Sequence, residues 1–438
     1  MKDLHDLGIM GGLVYIDRSF QKVNIYIDND KIRCISNEAK PCRRTYNAEG
    51  KKIIPGLIDP HVHFELDTGN IVSCDDFYSG SVSAAFGGIT TFIDFLDPVS
   101  KSSDLESALE KRMKLAEKSI VDYKFHATLA NPVGQTRELA ENAKSKGLDS
   151  IKIFTTYSES GRRTYEREIK ELLILSKELG FTLLVHAEND NMVGVLPGHK
   201  VWDITTARNE EAEISEALSL ASMVEETGGN LYMVHVSSGH TIQALSIRYP
   251  HLLGKGFHIE SCPHYFLLNL HEYDREDGYL FTMVPPLRSH RSQGLLLNNV
   301  ELVETIGTDH CAYMKKDKNM ENLRDIPMGV GSVEFSFIAM YGLLGNGAIE
   351  RMSENPARIF GLYPRKGVIL EGSDADLVIL DDKGPYLKKN DHSACDYSIY
   401  TEENGAFASM VKVVSVLSRG RFVIEDEVMK GGKGICLL

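Results

Sequence analysis

The sequence has no C-x-x-C pair, no apolar run long enough to span a membrane and no excess of basic residues. Each absence excludes something. The seven cysteines, Cys34, Cys42, Cys74, Cys262, Cys311, Cys395 and Cys436, are odd in number and scattered. That fits free thiols in a reducing, cytoplasmic setting better than a disulfide framework. Without paired cysteines, zinc fingers and iron–sulfur clusters drop out, so any metal must be held by nitrogen and oxygen. The formal net charge of −14 disfavours nucleic acid as a partner, because phosphate neutralisation needs clustered Lys and Arg. No membrane span is expected. The opening MKDLHDLGIMGGLVYI lacks the basic segment and clean apolar stretch of a signal peptide. Low-complexity tracts, internal repeats and long Pro/Gly linkers do not occur either.

What is there has a rhythm. The chain has 438 residues, 42% hydrophobic and 25% charged, which suits one large domain with something smaller attached. Short β-branched runs cover 53–59, 88–96, 123–130, 147–157, 181–189, 230–238, 256–266 and 303–311. Longer amphipathic segments lie between them, for example 165–179 and 210–226. Alternating strand and helix patterns imply βαβ units and a parallel sheet. Eight such strands suggest an α/β protein with a closed (β/α)8 barrel over 55–361. The flanks read differently. Within the flanks 1–54 and 362–438, residues 11–52 and 366–424 alternate apolar and polar positions, with Asn-Asp and Arg-Gly turns. The economical reading is a small antiparallel β-sandwich domain built from both chain ends. The Gly-rich end after 425 is expected either to be disordered or to dock on a neighbouring copy.

A barrel supplies a test, because catalytic residues sit at the C-terminal ends of its strands. The first strand ends in His61 and His63, two apart and therefore on one face. The fourth carries Lys152, the fifth ends in His186, the sixth in His235 and the eighth in Asp309. A single strand histidine is usually a satisfied core residue, and an aspartate before a loop is usually a turn residue. Six such residues on five strand ends are hard to assign to chance. Neutral imidazole is the commonest metal ligand. Lys152, flanked by isoleucines, would be buried, and burial favours the neutral amine. A neutral amine can capture carbon dioxide as a carbamate, an anionic ligand able to bridge two metals. His126 reads as core, His264 and His310 as structural or supporting residues, and Cys311 as having no base to activate it.

The segments PGLIDPHVHFE, DDFYSGSVSAAFGGITTFIDF, SIKIFTTY, VHAEN, VHVSS, PPLR and GTDH, in that order, resemble the amidohydrolase superfamily. Within it they resemble the cyclic amidases: dihydropyrimidinase, hydantoinase, dihydroorotase and allantoinase. The resemblance covers almost the whole chain. It implies two divalent metal ions, zinc, bridged by a carboxylated Lys152. His61, His63, Lys152 and Asp309 would hold the first metal, and Lys152, His186 and His235 the second. It further implies that hydroxide shared by the metals opens a dihydropyrimidine or hydantoin ring to an N-carbamoyl amino acid. Asp309 would move the proton and Tyr157 would bond the attacked carbonyl oxygen. Dihydroorotase and allantoinase activity are the near alternatives, and a non-catalytic scaffold related to dihydropyrimidinase is the distant one. Dihydroorotases usually place arginine where this chain has Glu65, which is expected to repel a substrate carboxylate. Val284 and Met328 depart from the serine and asparagine common in the subfamily, at positions that contact the substrate amide through backbone groups. Loops 64–75 and 157–165 are expected to line the pocket for the exocyclic substituent. The partner is a small cyclic amide, and the resemblance implies a homo-oligomer, dimer or tetramer.

Overall fold

Eight parallel strands form one sheet in strict chain order in the computed structural model, which describes residues 4–388, 391–400 and 407–438. They are Leu57–Val62, Ile89–Phe95, Asp122–Thr128, Ser150–Phe154, Thr182–His186, Leu231–Met233, Phe257–Ser261 and Thr305–Ile306. Their residues are almost all buried, as in a parallel sheet covered by helices. The first and eighth strands meet at the mouth. The Asp309 amide donates to the His61 carbonyl at 2.8 Å, and the His63 amide to the His310 carbonyl at 2.8 Å. The expected helices are present as Glu166–Leu179 and Glu210–Thr227, the second capped by the Asn209 side chain. No helix among the described residues is long and apolar enough to cross a membrane.

Both chain ends build the sandwich. A seven-stranded sheet takes Leu13–Ile16, Ser19–Lys22 and Lys52–Pro55 from the N-terminal flank. Its other strands are Leu377–Asp381, Lys412–Ser418, Arg421–Glu425 and Val428–Met429 from the C-terminal flank. It faces a four-stranded sheet of His5–Met10, Asn24–Asp28, Lys31–Ser36 and Cys42–Asn47. Ile9, Ile25 and Ile27 meet Val14, Ile53, Leu377, Ile379 and Leu417 in a core of their own.

Three expectations need correction. The run 53–59 divides: Lys52–Pro55 pairs with Leu377–Asp381 in the sandwich, and the barrel begins at Leu57. Both halves are apolar, so periodicity carries no mark of the break. The sandwich is not wholly antiparallel. His5–Met10 runs parallel to Cys42–Asn47, and Leu13–Ile16 parallel to Lys52–Pro55; alternation reports which face is buried, not the direction of the neighbour. The Gly-rich end docks on this chain's own barrel. The Tyr123 amide donates to the Ile435 carbonyl at 3.0 Å, and the Leu437 amide to the Tyr123 carbonyl at 2.8 Å. A Cβ on Gly434 would stand 1.9 Å from the Val121 carbonyl oxygen, so only glycine permits this approach.

An ionic cluster joins barrel and sandwich. Lys366, 1% exposed, reaches Asp122 at 2.8 Å, Asp374 at 3.1 Å and Asp376 at 2.6 Å. Arg419 bonds Asp122 at 3.1 Å, and Arg365 bonds Asp374 at 3.0 Å. Burial pulls the Lys366 ammonium down, but Asp376 and Asp122 outweigh it and hold it above its ordinary range. The three aspartates have the geometry of a cation site, and Lys366 already supplies the cation. Lys366→Met should therefore cost about 3–5 kcal/mol, the penalty for leaving buried carboxylates uncompensated. Urea unfolding of both proteins measures this, and an unchanged midpoint would show that the cluster contributes nothing net.

Candidate metal centre and active site

The strand ends bring the six chemical residues to one floor. His61 Nε2 and His63 Nε2 each lie 3.2 Å from Asp309 Oδ1, and the donor atoms of this trio all fall within 4.8 Å of one another. Beside them, His186 Nδ1 and His235 Nε2 face each other at 2.9 Å. The His61 and His235 ring centroids are 5.5 Å apart, so the two donor groups adjoin. Lys152 is buried, with its Nζ 5.4 Å from the Phe95 ring centroid and 5.5 Å from that of Phe154. Its amine makes no hydrogen bond and no ion pair among the described residues. Burial lowers that amine to about 8, against the pull of the Asp309 and Glu260 carboxylates.

Buried carboxylates fix the imidazoles. His61 Nδ1 bonds Glu260 Oε1 at 2.7 Å, and the same oxygen accepts the His235 amide at 2.9 Å. Tyr232 donates to the other oxygen of Glu260 at 2.7 Å. His186 Nε2 bonds Glu188 Oε2 at 2.7 Å, and Arg208 bonds that oxygen too. These contacts leave Nε2 of His61 and Nδ1 of His186 pointing at the floor, the arrangement that orients a ligating imidazole. Burial pushes the Glu188 carboxyl up, but the Arg208 and His186 charges win and hold it at about 2. Burial also raises the Asp309 carboxyl, and the charges on His61 and His63 more than reverse this, keeping it well below the usual carboxylate range. Asp59 pins the first strand to the eighth by accepting from the His61 amide at 3.1 Å and from Thr308 Oγ1 at 2.6 Å.

Tyr157, His235 and Asp309 all have left-handed backbones, with φ of 71°, 40° and 50°. That conformation is strained for residues with bulky side chains and persists only where the surroundings enforce it. Tyr157 lies at the edge of the site, its ring 5.3 Å from that of His186 and 5.0 Å beneath the Arg208 guanidinium. Burial raises the Tyr157 phenol, with Arg208 opposing, so it stays a hydrogen-bond donor at neutral pH.

The cleft above the floor has a volume of about 810 Å³. Leu66 to Thr68, Asn70 and Ile71 line it from one expected loop, and Tyr157 to Ser160 and Arg162 from the other. Val284 and Met328 line it as well. Glu65 does not line it. Its backbone turns through φ 50°, and its side chain lies toward Lys118, whose Nζ is 3.9 Å away. Glu65 is therefore not placed to repel a substrate carboxylate, contrary to expectation. His126 sits in the core, bonding the Pro60 carbonyl at 2.9 Å and Ser150 at 2.5 Å. His310 Nε2 donates to Asp75 at 2.9 Å, and its Nδ1 accepts the Ser332 amide at 3.1 Å. His264 is buried, with neither ring nitrogen bonded among the described residues. Burial lifts the Cys311 thiol to about 12, which removes it as a nucleophile.

Sequence reasoning missed Glu188, Glu260, Arg208 and Phe95. Glu188 follows His186 by two residues in HAEN, and that spacing was a usable signal. Glu260 belongs to a different strand from the histidines it holds, so nothing local pointed to it.

Comparison with known proteins gives a consistent answer. Residues 53–242 and 287–423 match the amidohydrolase family. A D-phenylhydantoinase of Escherichia coli is 30% identical, the match covering 97% of this chain and 96% of that one. A D-hydantoinase of Geobacillus stearothermophilus is 29% identical over 97% and 94% of the two chains. Among solved structures, dihydropyrimidinase from Brevibacillus agri superposes with a TM-score of 0.90 at 27% identity, covering 98% of each chain. An L-hydantoinase (dihydropyrimidinase) from Arthrobacter aurescens gives 0.88 at 25% identity over 99% of each.

Proposed function

This chain belongs to the amidohydrolase family, and from that premise we propose that it hydrolyses a cyclic amide, opening a dihydropyrimidine or hydantoin ring to an N-carbamoyl amino acid. The observation that carries the reading is the gathering of a His–His–Asp group, a His–His pair and an unpaired buried lysine at the floor of one cleft. Four imidazoles, a carboxylate and a lysine carbamate would suit two divalent ions, for which we take zinc. His61, His63 and Asp309 would hold one and His186 and His235 the other, with the Lys152 carbamate between. When bound, such ions make hydroxide available at neutral pH and polarise a carbonyl.

The chain's own groups would do the rest. The phenol of Tyr157, donor at neutral pH, stabilises the oxygen of the attacked carbonyl as charge develops there. Asp309 Oδ1, between His61 and His63, accepts the proton of the attacking water and returns it to the departing ring nitrogen. Backbone groups around Val284 and Met328 meet the ring amide, and the apolar wall of Leu66, Ile71 and Phe154 takes the exocyclic substituent. Seven unpaired thiols fit work in a reducing compartment.

The test is a ring-opening assay read by mass spectrometry, on protein loaded with zinc in bicarbonate. Dihydrouracil, hydantoin, a 5-substituted hydantoin, allantoin and dihydroorotate make the panel. Opening of the first three supports the reading. Opening of only dihydroorotate or allantoin overturns the substrate assignment, and no opening with two metals bound points to another cyclic amide.

A further inference from the structure

Two of the buried amines among the described residues sit against carboxylates. Lys366 has its three aspartates, and Lys124 bonds Asp149 at 3.2 Å. Lys318 differs. It ends the short helix Lys315–Lys318, is 0% exposed, and pairs with no carboxylate among the described residues. Its Nζ instead donates to two carbonyl oxygens, that of Thr282 at 2.8 Å and that of Gly329 at 2.6 Å.

Those carbonyls belong to the loops that follow the seventh and eighth barrel strands. Thr282 stands two residues before Val284, and Gly329 directly after Met328, and both Val284 and Met328 line the cleft. The Gly329 amide also donates to the Thr282 carbonyl at 3.0 Å, so the segments lie side by side with the amine clasping them. The wall has no slack. A Cβ on Gly329, at φ 144°, would stand 2.4 Å from the Cys311 carbonyl oxygen. Enclosing an amine without a counter-charge is costly, and an apolar side chain of the same length would fill the space without that cost. What the amine alone supplies is two N–H donors to two carbonyls. Burial brings Lys318 down to about 7, and the neutral amine still carries both donors.

We propose that Lys318 is a positioning residue for substrate binding, fixing the spacing of the two backbone segments at Val284 and Met328 that receive the ring amide. The proposal rests on the ring-opening reading for what enters the cleft, while the clasp itself does not. Lys318→Met and Lys318→Gln, each loaded with zinc, are compared with the parent protein in two measurements. Hydrogen exchange of segments 282–286 and 326–331 tests the clasp. It should quicken in both segments together in Lys318→Met, with the sandwich unchanged and two metals retained. Kinetics on hydantoin test the consequence. KM should rise about tenfold, the weight of one lost hydrogen bond, with kcat held within about threefold, and Lys318→Gln should recover part of it. Unchanged exchange overturns the clasp. Quicker exchange with unchanged KM, or an equal fall in kcat, overturns the positioning role. If the parent protein opens no ring, the function reading fails and exchange alone decides whether Lys318 holds the two segments.

Discussion

Lys152→Met should leave a folded barrel that opens the ring at least about 10³-fold more slowly, which corresponds to roughly 4 kcal/mol of barrier, and binds at most one divalent ion. The side chain is enclosed, and methionine has its length and shape, so packing survives. What goes is the amine that, as a carbamate, would join the His61–His63–Asp309 set to the His186–His235 set. His186 Nδ1 and His235 Nε2, 2.9 Å apart, would be left without an anionic companion for a second cation. Metal content by plasma mass spectrometry, with circular dichroism as the folding control, checks the first claim. Short carboxylates should restore part of the rate to a smaller Lys152→Ala protein by standing in for the proposed carbamate. A Lys152→Met protein that holds two metals and turns over normally would remove the lysine from the chemistry.

Asp309→Asn should lower kcat by about 10³-fold or more, within the range that one proton-transferring group supplies. The change is isosteric, and the amide can still accept from the neighbouring imidazoles, so substrate affinity should move little. The carboxylate is the part that cannot be replaced. His61 and His63 hold it in its charged form well below its ordinary range, so it is unprotonated at every working pH, and asparagine offers no such oxygen. A KM within a few-fold of the parent value, with kcat collapsed and both metals retained, separates proton transfer from substrate binding and from loss of a metal ligand. A kcat reduced less than about tenfold would move the proton-transfer role to another group.

The barrel was legible because each strand–helix unit repeats one pattern, and the floor because barrel strands end in chemistry. His61, His63, Lys152, His186, His235 and Asp309 could each be read from position alone, and the structure brings them together. The failures share a cause. Glu65 was read from its sequence distance to His63, but the chain turns through a left-handed φ at that residue and carries the side chain out of the cleft. Glu260 and Lys318 act across strands and loops far apart in the chain. Their partners are Glu260 with His61 and His235, and Lys318 with Thr282 and Gly329. Local periodicity reports which face a residue shows, not which distant group it meets. The docked C-terminal end was missed for the same reason: glycines signal freedom in a sequence, and here they allow contact with Ile120 and Val121.

The interleaving of both chain ends in one sheet bears on how the protein is made. Lys52–Pro55 emerges from the ribosome early, yet its neighbour on one side is Leu377–Asp381. At about 5–20 residues per second, that edge waits roughly 15–65 s for its partner, with Ile53 and Ile54 uncovered. The barrel between them can close on the way. The sandwich is thus the last part of the molecule to gain its core, and the N-terminal strands are where a nascent chain of this protein most needs a chaperone.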